Sequence, residues 1–141
     1  MADSACSSCG KALATSDILY NDQGNIICVE CSAKADIQGD EKRAARNIKV
    51  AAMTCAAAGI AGFVALGIGF GLAFWPSVIV CVASAIFALN GLHGPGAERF
   101  VKYLTGGDRI VIYVGSAIGL ALTTYEALIF GGYVHFTPWV R

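Results

Sequence analysis

Between residues 50 and 97 the chain carries no formally charged side chain, and no small soluble fold can be surfaced from such a stretch. A soluble globular domain holds roughly 25% charged residues; this chain of 141 residues holds 14%, against 56% hydrophobic. Its ions are also unevenly spread. Residues 1–49 contain seven acids and six bases, residues 50–141 only three acids and four bases. Length alone would fit one soluble domain or two small ones, but the second part of this chain needs lipid around it rather than water.

Three apolar runs are candidates to cross a hydrocarbon core of ~30 Å, the second only with residues 74–77 and Asn90 near its ends. The first, residues 48–74, has 27 residues, enough to cross with some tilt, and Trp75-Pro76-Ser77 should break it. The second, residues 76–92, is shorter and ends near Asn90. The third, residues 110–134, has 25 residues and one charge, Glu126. The alternative for residues 48–92 is a re-entrant pair. Residues 39–49 read as a basic juxtamembrane helix start, with Gly39 able to end a helix of the head and Asp40 able to cap the next.

Bases fix the expected orientation. Lys42, Arg43, Arg46 and Lys49 precede the first span, and Arg99, Lys102 and Arg109 lie between the second and third. The positive-inside rule then puts the N-terminus and the 93–109 loop in the cytoplasm and the C-terminal tail, residues 135–141, outside. Phe74, Trp75, Tyr133, Phe136 and Trp139 would form one aromatic belt at the outer interface. Within the inner loop, Ala97, Phe100, Val101 and Leu104 recur at i, i+3, i+4 and i+7, opposite Glu98, Arg99 and Lys102. This spacing predicts an amphipathic helix over 97–105, on the inner membrane surface or under the head. Asp108 can then cap the third span.

The head, residues 1–38, holds four of the six cysteines as two C-x-x-C pairs: Cys6 and Cys9, then, after eighteen intervening residues, Cys28 and Cys31. The N-terminus lacks the basic start and apolar stretch of a signal peptide, so these thiols are expected in reducing cytosol, where paired cysteines favour metal over disulfides. A C-x-x-C turn supplies two thiolates from one tight loop, and two such turns complete a tetrahedron for one structural zinc ion. The alternative is a free or redox-active cysteine set. Gly10 suits a left-handed turn after the second ligand. Ile18-Leu19-Tyr20 and Ile26-Ile27 flank the turn Asp22-Gln23-Gly24-Asn25 and predict a short β-hairpin. So small a head cannot bury an adequate core without metal. Cys55 and Cys81, in the apolar runs, read as small buried packing residues.

The first knuckle Cys6-Ser-Ser-Cys9-Gly10-Lys11, the hairpin, and a second C-x-x-C opening a helix over residues 32–38 resemble the treble-clef and zinc-ribbon fingers, the broad group that includes LIM domains. The resemblance covers residues 6–38. It implies a small α+β zinc finger with the four cysteines as ligands, and a protein or nucleic acid as partner rather than a substrate. The basic and aromatic face that nucleic acid requires is missing, Tyr20 being the head's only aromatic residue, and the net charge of zero gives no pointer to nucleic acid either. A protein partner is expected. The whole fold class is then this finger followed by an all-α transmembrane bundle of about three helices.

Within the bilayer, Gly67-x-x-x-Gly71 and Gly115-x-x-x-Gly119 match the spacing that lets helix backbones approach closely, within one chain or between copies in a homo-oligomer. Gly67-x-Gly69-x-Gly71 is no nucleotide loop, since no strand precedes it. Glu126 is costly in lipid and should face the bundle, be protonated or reach the interface; Thr123 and Thr124 are its nearest hydroxyls in sequence. His93 and His135 read as interfacial anchors at opposite ends. No nucleophile–base pair or open metal position is visible, so an enzyme is not expected. The leading expectation is a non-enzymatic membrane protein whose cytosolic zinc head recruits or holds a protein partner at the membrane, as an anchor or as one subunit of a larger membrane complex. The alternative is a small oligomeric transporter, channel or accessory subunit using Glu126.

Overall fold

The computed structural model describes residues 4–135 and divides into two compact units, Met1–Arg43 and Ala44–Arg141. In the first, β1 (Ser4–Ala5) pairs antiparallel with β2 (Ala12–Leu13), and β3 (Leu19–Tyr20) with β4 (Ile26–Ile27). The second pair is the expected hairpin. Its turn is held by Asn21, whose Oδ1 accepts from the amides of Gln23 and Asn25 at 3.1 and 2.8 Å, so the side chain stands in for a backbone carbonyl. Strands of two residues carry no alternation, which is why β1 and β2 left no mark in the sequence. Cys6, Leu13, Ile27 and Cys28 are buried together, with Ile18, Ile26 and Cys31 against them.

The helix α1 begins just after Cys28 and runs unbroken over Val29–Gly67, 39 residues. It passes straight through Gly39 and Asp40, which therefore neither end nor cap a helix. A glycine costs a helix interior only about 1 kcal/mol, and the good formers around it, Ala33 to Ala35 on one side and Glu41 to Ala45 on the other, outweigh that. The first apolar helix also ends at Gly67 rather than at residue 74. Gly69 adopts φ +81°, a left-handed turn that suits a residue without Cβ, and a 3-10 turn over Gly71–Ala73 leads into α2, Phe74–His93. Pro76 lies in the first turn of α2, where its missing N–H has no partner to lose. It does not break the chain.

The loop helix is shorter than its periodicity predicts. α3 covers Glu98–Val101 only, with turns on either side, yet the apolar pattern is used as expected: Ala97 and Leu104 are buried, and Phe100 and Val101 pack on the cluster of Ala45, Ile48, Ala52, Ala88, Leu92 and Ile112. α4 covers Gly106–Phe130, starting and stopping earlier than residues 110–134. Thr105, not Asp108, is its N-cap. Asp108 supplies the other half of a capping box, its Oδ2 accepting from the Thr105 amide at 3.1 Å while its own amide donates to Thr105 Oγ1 at 3.2 Å. Asp108 also meets Lys49 of α1 at 2.5 Å.

The helices α1, α2 and α4 are each long and apolar enough to cross a membrane. Their inward stripes are small or polar: Ala52, Cys55, Gly59 and Gly62 on α1; Ser77, Cys81, Ala85 and Ala88 on α2; Ser116, Gly119, Thr123 and Glu126 below Ile112 on α4. Large side chains such as Met53, Ile60, Ile79, Phe87, Ile110 and Ile118 point outward. Lipid-embedded helices pack in this sense, by close backbone approach rather than by burying bulk. Gly115 and Gly119 serve that contact within the chain, against Ala52 and Cys55 of α1. Gly67 and Gly71 lie in different elements and share no helix face. Among the aromatics expected at the outer interface, Phe74 stacks on Phe130 with centroids 4.8 Å apart; Phe136 and Trp139 lie outside the described residues.

Candidate metal centre and a buried carboxyl

The first knuckle is a turn closed by the Gly10 amide donating to the Cys6 carbonyl at 2.8 Å and the Cys6 amide donating to Lys11 at 2.9 Å. Gly10 takes φ +74° to make it. The Ser7 amide and hydroxyl both donate to the Ile26 carbonyl at 2.9 Å, which fastens the knuckle to β4. Cys28 follows β4 directly and Cys31 falls in the first turn of α1. The two pairs are thereby brought face to face.

All four sulfurs lie within 4.8 Å of one another, and Cys9 and Cys28 are 3.8 Å apart. A tetrahedron with metal–sulfur bonds of ~2.3 Å has edges of about 3.8 Å, so the cluster could hold a metal ion with little adjustment. Amides already point at the sulfurs: Cys28 N–H donates to Cys6 Sγ and Cys31 N–H to Cys28 Sγ, both at 3.4 Å. Burial opposes ionisation of Cys6, but the amides of Cys9, Cys28 and Ser8 outweigh it and hold the thiol down at about 6. Hydrogen bonding to the sulfurs of Cys28 and Cys9 pushes Cys31 up to about 12. The arrangement thus welcomes one thiolate and resists the last, a conflict that a bound cation resolves.

The buried carboxyl belongs to the other unit. Glu126 is 0% exposed. Its Oε2 accepts from Ser77 Oγ of α2 at 3.3 Å, and its Oε1 has no hydrogen-bond partner among the described residues. The two threonines adjacent in sequence do not serve it: Thr123 and Thr124 donate to the carbonyls of Gly119 and Leu120 at 2.8 and 2.7 Å. Ser77 and Gly62 are the residues that sequence reasoning missed. A Cβ at Gly62 would come within 2.5 Å of Ser77 Oγ and 2.7 Å of Glu126 Oε2, so the glycine makes the space in which the two meet. Cys55 and Cys81 are buried, as expected of packing residues, and their sulfurs face each other at 3.0 Å. His93 Nε2 and Tyr113 Oη are hydrogen-bonded at 2.7 Å.

Comparison with known proteins finds no family model, no curated protein and no solved structure that matches this chain.

Proposed function

We propose that this chain is a non-enzymatic integral membrane protein whose cytosolic zinc finger holds a protein partner at the membrane, as an anchor or as a subunit of a membrane complex. The observation that carries this reading is the pairing, in one chain, of a four-sulfur cluster with three helices apolar enough to cross a bilayer. Four thiolates favour zinc over harder divalent ions and leave no open position for a substrate or water, which makes the site structural. The order of parts in the head supports a treble clef: a knuckle between β1 and β2, the hairpin β3–β4, then a helix with Cys31 in its first turn. The finger keeps apolar side chains outside, Tyr20 at 68%, Ile37 at 59% and Val29 at 58% exposed. Tyrosine is among the residues that most often anchor protein interfaces.

The test is a pull-down in mild detergent comparing the full chain with a variant lacking residues 1–38 and with Tyr20→Ser in the full chain. Partners lost from both, with metal retained in Tyr20→Ser, support recruitment through the finger. Partners kept without the head point instead to assembly through the spans, the reading in which Glu126 serves a transporter or channel.

Orientation carries its own prediction. With seven bases flanking the inner ends of the spans, reporters fused to the two termini should fall on opposite sides, the N-terminus in the cytoplasm. A cytoplasmic C-terminus would require an even number of crossings and overturn the scheme.

A further inference from the structure

We propose that Glu126, with Ser77 and the close approach that Gly62 permits, forms an intramembrane site that binds and releases a proton. The carboxyl is completely enclosed, with one oxygen on the Ser77 hydroxyl and the other without a partner among the described residues. The Ser77 hydroxyl also approaches the Phe74 carbonyl at 2.7 Å. It has one hydrogen to give, so donation to Phe74 leaves the Glu126 oxygen unserved unless the carboxyl itself carries a proton and becomes the donor. Among the described residues no basic side chain offers a counter-charge. Over residues 50–67 α1 brings only the Cys55 thiol, α2 brings Cys81 and, at its far end, His93, and α4 brings Tyr113, Tyr125 and, at its far end, Asp108 and Arg109, whose guanidinium donates to the Val101 carbonyl. Lys49 is committed to Asp108, and Tyr125 turns its ring toward Phe63, 6.1 Å away.

A purely structural role would close the carboxyl in with donors. Here the packing does the opposite. Gly62 withholds a side chain at the point where Ser77 and Glu126 meet, and a shallow apolar groove of about 260 Å³ lined by Ala58, Ala61, Gly62, Pro76, Ser77 and Val80 lies beside Ser77, outside the enclosed carboxyl. An ionisable group within a membrane bundle, enclosed and unmatched, has the character of a proton-relay position.

Infrared spectroscopy of the full chain in lipid vesicles, from about pH 6 to about pH 9, decides the matter, because exposed Asp and Glu are almost wholly ionised throughout that range. A protonated-carboxyl band should be present at the acid end, disappear as the pH rises, and be missing from Glu126→Gln. Should that variant fail to fold, Ser77→Ala serves instead: by removing the hydroxyl beside the carboxyl it should shift the band and its midpoint. The proposal is overturned by a chain with no such band at any pH in the range, by a band that never responds to pH, or by a titrating band that Ser77→Ala leaves unmoved.

Discussion

Cys28→Ser in the full chain should abolish stoichiometric metal binding and unfold the head, while the helices of the other unit keep their structure. The size of the effect follows from how little else holds the head together. Its buried aliphatic side chains are Leu13 and Ile27, each worth about 1.5–3 kcal/mol, whereas ordering a residue's backbone costs about 1–2 kcal/mol. A structural four-ligand zinc site contributes roughly 10–16 kcal/mol, the dominant favourable term. Metal analysis should find about one zinc per wild-type chain, and a strong chelator should reproduce the Cys28→Ser state, read as loss of hydrogen-exchange protection over residues 4–31. Affinity should fall with pH, because each thiol must lose its proton to bind. The fall should steepen below about 6, where Cys6, already deprotonated above that value, also has to be ionised by the metal. A head that stays protected after metal removal, or that is purified with these cysteines joined as disulfides, would refute this account.

What could be read from the sequence was what is local in the chain. Each C-x-x-C pair, the Gly10 turn and the hairpin depend on residues within a few positions of one another, and the uncharged run from residue 50 to 97 needs only counting. Helix ends were harder, since Gly39 and Asp40 look like a stop and a start while the flanking alanines and charged helix formers carry α1 through them. Likewise Trp75-Pro76 looks like a break, but a proline is at home in the first turn of α2, and the actual turn is made earlier, at Gly69. The partner of Glu126 was beyond reach for a different reason. Ser77 stands 49 residues away in sequence, on another helix, and only packing brings the two together. Thr123 and Thr124, nearer in the chain, are drawn to carbonyls one turn back on their own helix, an acceptor that always lies within reach of a helical hydroxyl.

Gly119→Val should disrupt the bundle more than any other single substitution on α4's inward face, at a cost of about 3 kcal/mol, the upper part of the usual overpacking range. A Cβ at Gly119 would lie 2.5 Å from the Cys55 carbonyl oxygen and 2.7 Å from its carbonyl carbon. Those are backbone atoms, so no rotamer change relieves the clash and α1 must move away from α4. Gly59 faces the same point from the other side, its own Cβ position 2.9 Å from the Gly119 carbonyl oxygen, which leaves α1 no room to slide along the contact. Gly107→Ala is the control: a Cβ there meets only Thr105 Oγ1, at 3.8 Å, and stability should hold or rise. The paired thiols give a direct readout. Cys55 and Cys81 are 3.0 Å apart in the wild-type chain, and molecular iodine, a bilayer-permeant two-electron oxidant, should join them by closing that gap to about 2.05 Å. Displacing α1 in Gly119→Val should remove the cross-link along with the stability. If Gly119→Val instead unfolds with the wild-type midpoint and still cross-links, α1 and α4 are not packed through these glycines, and the small-residue seam has some other use.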